Sequence, residues 1–172
     1  MTAADLRTLL DYHYWARTRL LRALAPLSAD EFTAPRGSSF SSIRDTVAHT
    51  YFSEWAWYSR WQGRSPGAWP DLAQFADVAS LERAWAELEG QVRAFIDPMT
   101  DEDVQRVVTY RLWSGDEAAS PVWQMVQHVV NHASYHRGQV TTMLRQAGAQ
   151  PPQSMDIIAF YRKRQAASAG GR

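Results

Sequence analysis

The sequence predicts an all-α protein, a four-helix bundle with a long connection between its second and third helices. Four segments repeat apolar residues at three- and four-residue spacing, the mark of a helix with one buried stripe. Proline or glycine stands at or just beyond the end of each of them. Only one short stretch is strand-prone, and two strands alone are marginal unless they pack on a larger body.

The first helix is expected over residues 4–27, where Leu6, Leu9, Leu10, His13, Ala16, Leu20, Leu24 and Leu27 form one stripe. His13 lies on that stripe beside Tyr12 and Trp15, as a core histidine or one lining a pocket. Pro26, Pro35 and Gly37 break the pattern. The second helix starts near Ser42, a capping residue, with Asp45 three positions on in a weak capping-box pattern. It runs to about Trp61 and carries His49 among Thr46, Ser53 and Ala56, small neighbours that leave room around an imidazole.

Residues 62–79, rich in proline and glycine, form the long connection; loops of that length in compact domains are functional or cross over. The third helix is expected over 80–97, with Leu81, Ala84, Trp85, Leu88, Val92 and Phe95 as its stripe. Residues 107–113 are β-prone and Ser114-Gly115-Asp116 turns, which gives a short hairpin before the last long helix. That helix starts with Pro121 in its first turn, where the missing N–H is tolerated, and ends near Gln146 before Gly148 and Pro151-Pro152. A short final helix over 156–164 and a loose tail over about 165–172 complete a single domain spanning 1–172.

Charge and cysteine content narrow the function. Eighteen basic residues balance 18 acidic ones, so there is no electrostatic footprint for nucleic acid or an anionic membrane. There is no cysteine, which removes disulfides, thiolate metal sites and a cysteine nucleophile. Any metal is left to nitrogen and oxygen ligands. No basic-then-apolar leader and no run of about 18 apolar residues is visible, so the expected location is the cytoplasm.

The chemistry concentrates in the last long helix. His128, His132 and His136 stand at four-residue intervals, and residues four apart on a helix are offset by only about 40°. Either adjacent pair can chelate one ion. All three cannot, because His128 and His136 are about 12 Å apart along the axis, against metal–nitrogen distances of about 2.0–2.1 Å. Glu54, five residues past His49, is a candidate general base, but at about 140° around the helix a solvated or ion-paired role fits it better. Arg137 follows a histidine of the row and fits either a substrate anion or a carboxylate that braces the helix. Tyr135 and Asn131 are close enough in sequence to hydrogen-bond near the row, but adjacent positions on a helix face away from each other.

With His49 on one helix and His132-x-x-x-His136-Arg137-Gly138-Gln139 on the last, the chain resembles the DinB/YfiT-like family of metalloenzymes. The likeness extends over Tyr12-His13-Tyr14-Trp15-Ala16, Asp45-Thr46-Val47-Ala48-His49, Trp61-Gln62-Gly63 and Leu144-Arg145-Gln146-Ala147-Gly148. The resemblance implies a variant up-and-down four-helix topology. It also implies a divalent metal, zinc or nickel, held by His49, His132 and His136, with His128 one turn away in a supporting position. Three imidazoles and an open position make a catalytic rather than a structural site.

The function the resemblance implies is a metal-dependent transferase or hydrolase, with a low-molecular-weight thiol of the bacillithiol or mycothiol type as partner. The alternative is a non-catalytic, stress-associated bundle that binds a metal or small ligand. Family members are often homodimers, and aromatics around Trp55, Trp57 and Trp61 are expected to supply an apolar patch for one.

Overall fold

The structure, a computed structural model describing residues 1–169, has four long helices: α1 (Ala3–Leu24), α3 (Ile43–Trp61), α4 (Val78–Ile96) and α6 (Val122–Gln146). Three short helices, α2 (Ala29–Thr33), α5 (Asp101–Gln105) and α7 (Ile157–Ala169), and a 3-10 turn at Leu72–Gln74 accompany them. Strands β1 (Val107–Arg111) and β2 (Glu117–Pro121) form one antiparallel hairpin, with Val107 opposite Pro121 and Arg111 opposite Glu117. The hairpin leans on α3 and α6, which supplies the support two strands need.

The helix ends follow from side-chain capping. Thr2 and Asp77 open α1 and α4 with reciprocal bonds to Asp5 and Ser80, so α4 begins two residues earlier than its periodicity suggests. Ser42 caps α3 by accepting from the Asp45 N–H at 3.1 Å. Asp45 does not complete the expected box; its carboxylate instead accepts from Arg44 Nε at 2.9 Å. Helix α1 stops at Leu24, three residues short of expectation. Pro121 ends β2 and precedes α6 as its N-cap rather than lying in its first turn.

Residues 165–169, expected as loose tail, continue α7; residues 170–172 lie outside the described residues. Phe160 holds α7 against Tyr12, Ala16 and Val130 in a small apolar cluster.

The main core fills the space between the four long helices. Leu6, Leu10, Leu24, Ile43, Trp61, Leu81, Trp85, Ile96, Met125 and Leu144 are almost wholly removed from water. Trp61 is therefore a core residue, and Trp55 and Trp57 are only half-exposed against that core. The exposed three-tryptophan patch expected from the sequence does not form. No helix of the described residues is long and apolar enough to cross a membrane.

Helices α3 and α6 make the most extensive helix–helix contact. Their ring contacts pair His49 with His132 and His136, and Trp57 with His128, so the two helices run antiparallel. This pairing brings the second-helix histidine to the histidine row.

Candidate metal centre

His49, His132 and His136 each present one ring nitrogen to a common point, the three atoms lying within 4.8 Å of one another. His49 Nε2 is 3.3 Å and His136 Nε2 3.1 Å from His132 Nε2. Nitrogens about 2.0–2.1 Å from one ion at tetrahedral angles stand about 3.3–3.4 Å apart. The two spacings about His132 match those of a shared ion, and the donor set is the all-nitrogen one left to a chain without cysteine.

Hydrogen bonding fixes one ring. His136 Nδ1 lies 2.7 Å from Gln139 Oε1, an acceptor only, so Nδ1 carries the proton and Nε2 presents its lone pair inward. The Gln139 amide nitrogen in turn donates to Ser39 Oγ at 3.2 Å.

Electrostatics favour neutral imidazoles. Burial, then the neighbouring His136, pushes His49 down to about 4. Burial followed by His136, His49 and His128 pushes His132 to about 3. Burial also lowers His136, against the opposing bond from Gln139. No carboxylate pairs with any of the three among the described residues. Metal ligation requires neutral imidazole.

Aromatic rings surround the centre. Phe40 stacks on His49 at 4.3 Å between centroids and meets His136 edge-on. Trp69 lies 5.2 Å from the His49 ring and stacks on Trp113 of the hairpin turn. His128, exposed, stacks on His132 at 5.7 Å and touches Trp57 at 4.8 Å. It stands beside the three-nitrogen group and is not part of it.

The remaining sequence candidates lie elsewhere. His13 is fully buried and bonds Glu54 Oε2 at 2.9 Å. Glu54 also accepts from Tyr14 at 2.7 Å and from Trp85 Nε1 at 2.6 Å, so it is buried and hydrogen-bonded rather than solvated, and it is turned away as a base. Burial works to raise its carboxyl, but the His13 imidazole and the three hydrogen bonds outweigh it and hold it below the usual carboxylate range.

Arg137 is buried and braces α6 through hydroxyls rather than a carboxylate, donating to Ser134 Oγ at 2.6 Å and Tyr12 at 3.4 Å. Tyr135 is exposed and reaches the site only as an edge against the His136 ring, and Asn131 is exposed.

Phe40, Trp69 and Trp113 lacked a sequence signal, because they sit in segments without periodicity. Gln139 was visible in the motif, and its spacing of three from His136 is the helical neighbour distance that predicts its bond.

Comparison with known proteins bears on the family and the fold. The chain is 26% identical over 163 residues to Protein DinB of Bacillus subtilis (strain 168), covering 90% of this chain and 94% of that one. A crystal structure of a DinB-like protein from Bacillus cereus ATCC 10987 superposes with a TM-score of 0.67 at 18% identity, covering 85% of this chain and 95% of the other. Residues 1–165 match the DinB family. The chain belongs to the DinB family.

Proposed function

We propose that His49, His132 and His136 hold one divalent metal ion, zinc or nickel, and that the protein is a metal-dependent enzyme acting on a small thiol. The observation that carries this reading is the convergence of three ring nitrogens, His136 buried and His49 and His132 partly buried, with spacings of 3.1 and 3.3 Å about His132 and no acid to neutralise them. A structural histidine cluster has its nitrogens paired with other groups; these face one another. An ion bound there supplies Lewis acidity, which favours the anion of a small ligand such as a thiol.

The chain's own residues do the rest. Gln139 fixes the His136 ring and its tautomer, which preorganises the site before anything binds. Phe40 and Trp69 flank His49 with apolar rings, which lowers the local dielectric and strengthens electrostatic interactions beside it. Glu54 is occupied by His13, Tyr14 and Trp85, so the reading gives it no proton-transfer role.

Those same flanking rings favour a second reading, a bundle that binds a metal or small ligand without turnover, if they close the fourth position. Cobalt-substituted protein titrated with small thiols separates the two. A sulfur-to-metal charge-transfer band that is absent in His132→Ala supports the thiol enzyme, and thiol binding should release protons near neutral pH. A metal spectrum that no thiol perturbs leaves the binding bundle as the better account.

A further inference from the structure

One buried cation is left unexplained by the metal centre. Arg60, near the end of α3, is only 3% exposed, and among the described residues no carboxylate forms a salt bridge with it. Its guanidinium sits over three rings, 4.7 Å from Trp57, 5.3 Å from Trp113 and 5.7 Å from Tyr110. Ring faces stabilise the charge, but they do not satisfy N–H donors lying in the guanidinium plane. Nε and Nη2 are both buried and both without a hydrogen-bond partner. Those two nitrogens form the side edge of the guanidinium, the fork that a carboxylate meets with two parallel bonds.

The position of this edge relates it to the histidines. Arg60 is eleven residues beyond His49, so it stands about 16 Å along α3 and within about 20° of the same face. Two rows of side chains join them. On one side His49, Trp69, Trp113 and Arg60 follow at 5.2, 4.9 and 5.3 Å. On the other His132, His128, Trp57 and Arg60 follow at 5.7, 4.8 and 4.7 Å. The rows meet at Arg60, and at the opposite end His49 and His132 close them at 5.1 Å. The two rows outline an elongated patch of packed rings with a nitrogen cluster at one end and an unpaired cation at the other.

We propose that Arg60 is the anion-binding residue of this site. It takes a carboxylate of an elongated small molecule whose other end reaches the three histidines. The proposal rests on the thiol reading above only for the identity of that other end. Trp113, 38% exposed at the hairpin turn, moves aside to admit the carboxylate to the Nε–Nη2 edge.

The test uses N-acetylated cysteinyl-triglycine in two forms, one with a free C-terminal carboxylate and one with a neutral carboxamide. At about 3.3–3.6 Å per extended residue its four residues reach about 13–14 Å, and the cysteine side chain and terminal carboxylate extend that reach toward both ends. Binding to cobalt-loaded protein is read from the charge-transfer band. The carboxylate form should bind about tenfold or more tightly than the amide, the effect of a charge-assisted pair. Arg60→Lys should keep part of that preference, since it retains charge without the fork, and Arg60→Met should abolish it with metal content unchanged.

A merely structural arginine would alter both peptides equally. Equal affinities in the wild type, or a preference that survives in Arg60→Met, overturns the proposal. If Arg60→Met fails to fold, the wild type and Arg60→Lys carry the comparison, and an undiminished preference in Arg60→Lys counts against the fork. If neither peptide alters the cobalt spectrum, the thiol reading fails on its own. Tryptophan fluorescence of metal-free protein then decides the subsite: a carboxylate-selective response lost in Arg60→Met supports it, and no selective response overturns it.

Discussion

Helix α3 carries two polar sites inside one bundle, and they are built on opposite logic. Toward α1 and α4 it presents Glu54, whose oxygens accept from His13, Tyr14 and Trp85 within a sealed interior. Toward α6 it presents His49, whose ring nitrogen faces two others with no acid nearby. In the first site donors and acceptor match, which is how buried polar groups persist at low cost. In the second, three ring nitrogens crowd together, an arrangement that makes sense as a receptacle. A histidine in a helical core is thus read by what faces it: His13 faces a carboxylate within the fold, and His49 faces imidazoles in a group that could hold a metal ion.

The largest expected effect breaks the first site. Glu54→Ala leaves three buried donors unpaired and should cost about 3–5 kcal/mol, seen as a lower thermal midpoint, while the folded fraction still binds metal. Because the Glu54 carboxyl is held below its ordinary value, its contribution is present above the unfolded value of about 4.3. It is lost as pH falls through the folded one. Glu54→Gln should therefore show a shallower loss of stability on acidification than wild type. Wild-type melting of Glu54→Ala would remove the structural role.

Breaking the second site should have the converse signature. At zinc concentrations about 100-fold above Kd, wild type should gain about 2.7 kcal/mol. His132→Ala should gain almost nothing, yet its metal-free stability should stay within about 1 kcal/mol of wild type, since it relieves crowded imidazoles rather than a packed partner. Severe destabilisation of the metal-free variant would mean that the two sites do not differ as argued.

A smaller effect sharpens the account of preorganisation. Gln139→Ala removes the bond to His136 Nδ1 and should weaken zinc binding about 10- to 100-fold. Unchanged affinity by competition with a chelator would leave that bond without a role. The smallest effect belongs to His128→Ala, which should change zinc affinity by less than about threefold because His128 stacks on His132 without joining the nitrogen group. A loss as large as that of His132→Ala would move the site one turn along α6.

Much of the second site was legible in the sequence and little of the first. The spacing of His132 and His136 puts both on one face, and the family motif adds His49. Helical angles showed that Glu54 does not share the His49 face, but not that it meets His13, 41 residues away, because pairing across helices depends on tertiary register. Helices α2 and α5 were missed although Ser28-x-x-Glu31 and Thr100-x-x-Asp103 carry capping boxes; five residues are too few to show a period. Trp69, Trp113 and Arg60 were unassigned for a different reason. The loop and hairpin that bring the tryptophans to α3 are positioned by packing, which no local pattern records.

The claim that one ion needs all three histidines is tested most directly by equilibrium dialysis against zinc, comparing wild type with His136→Ala and His13→Ala. The account predicts one ion per chain in wild type and in folded His13→Ala, and strongly reduced occupancy in His136→Ala. Equal metal content in wild type and His136→Ala would contradict it.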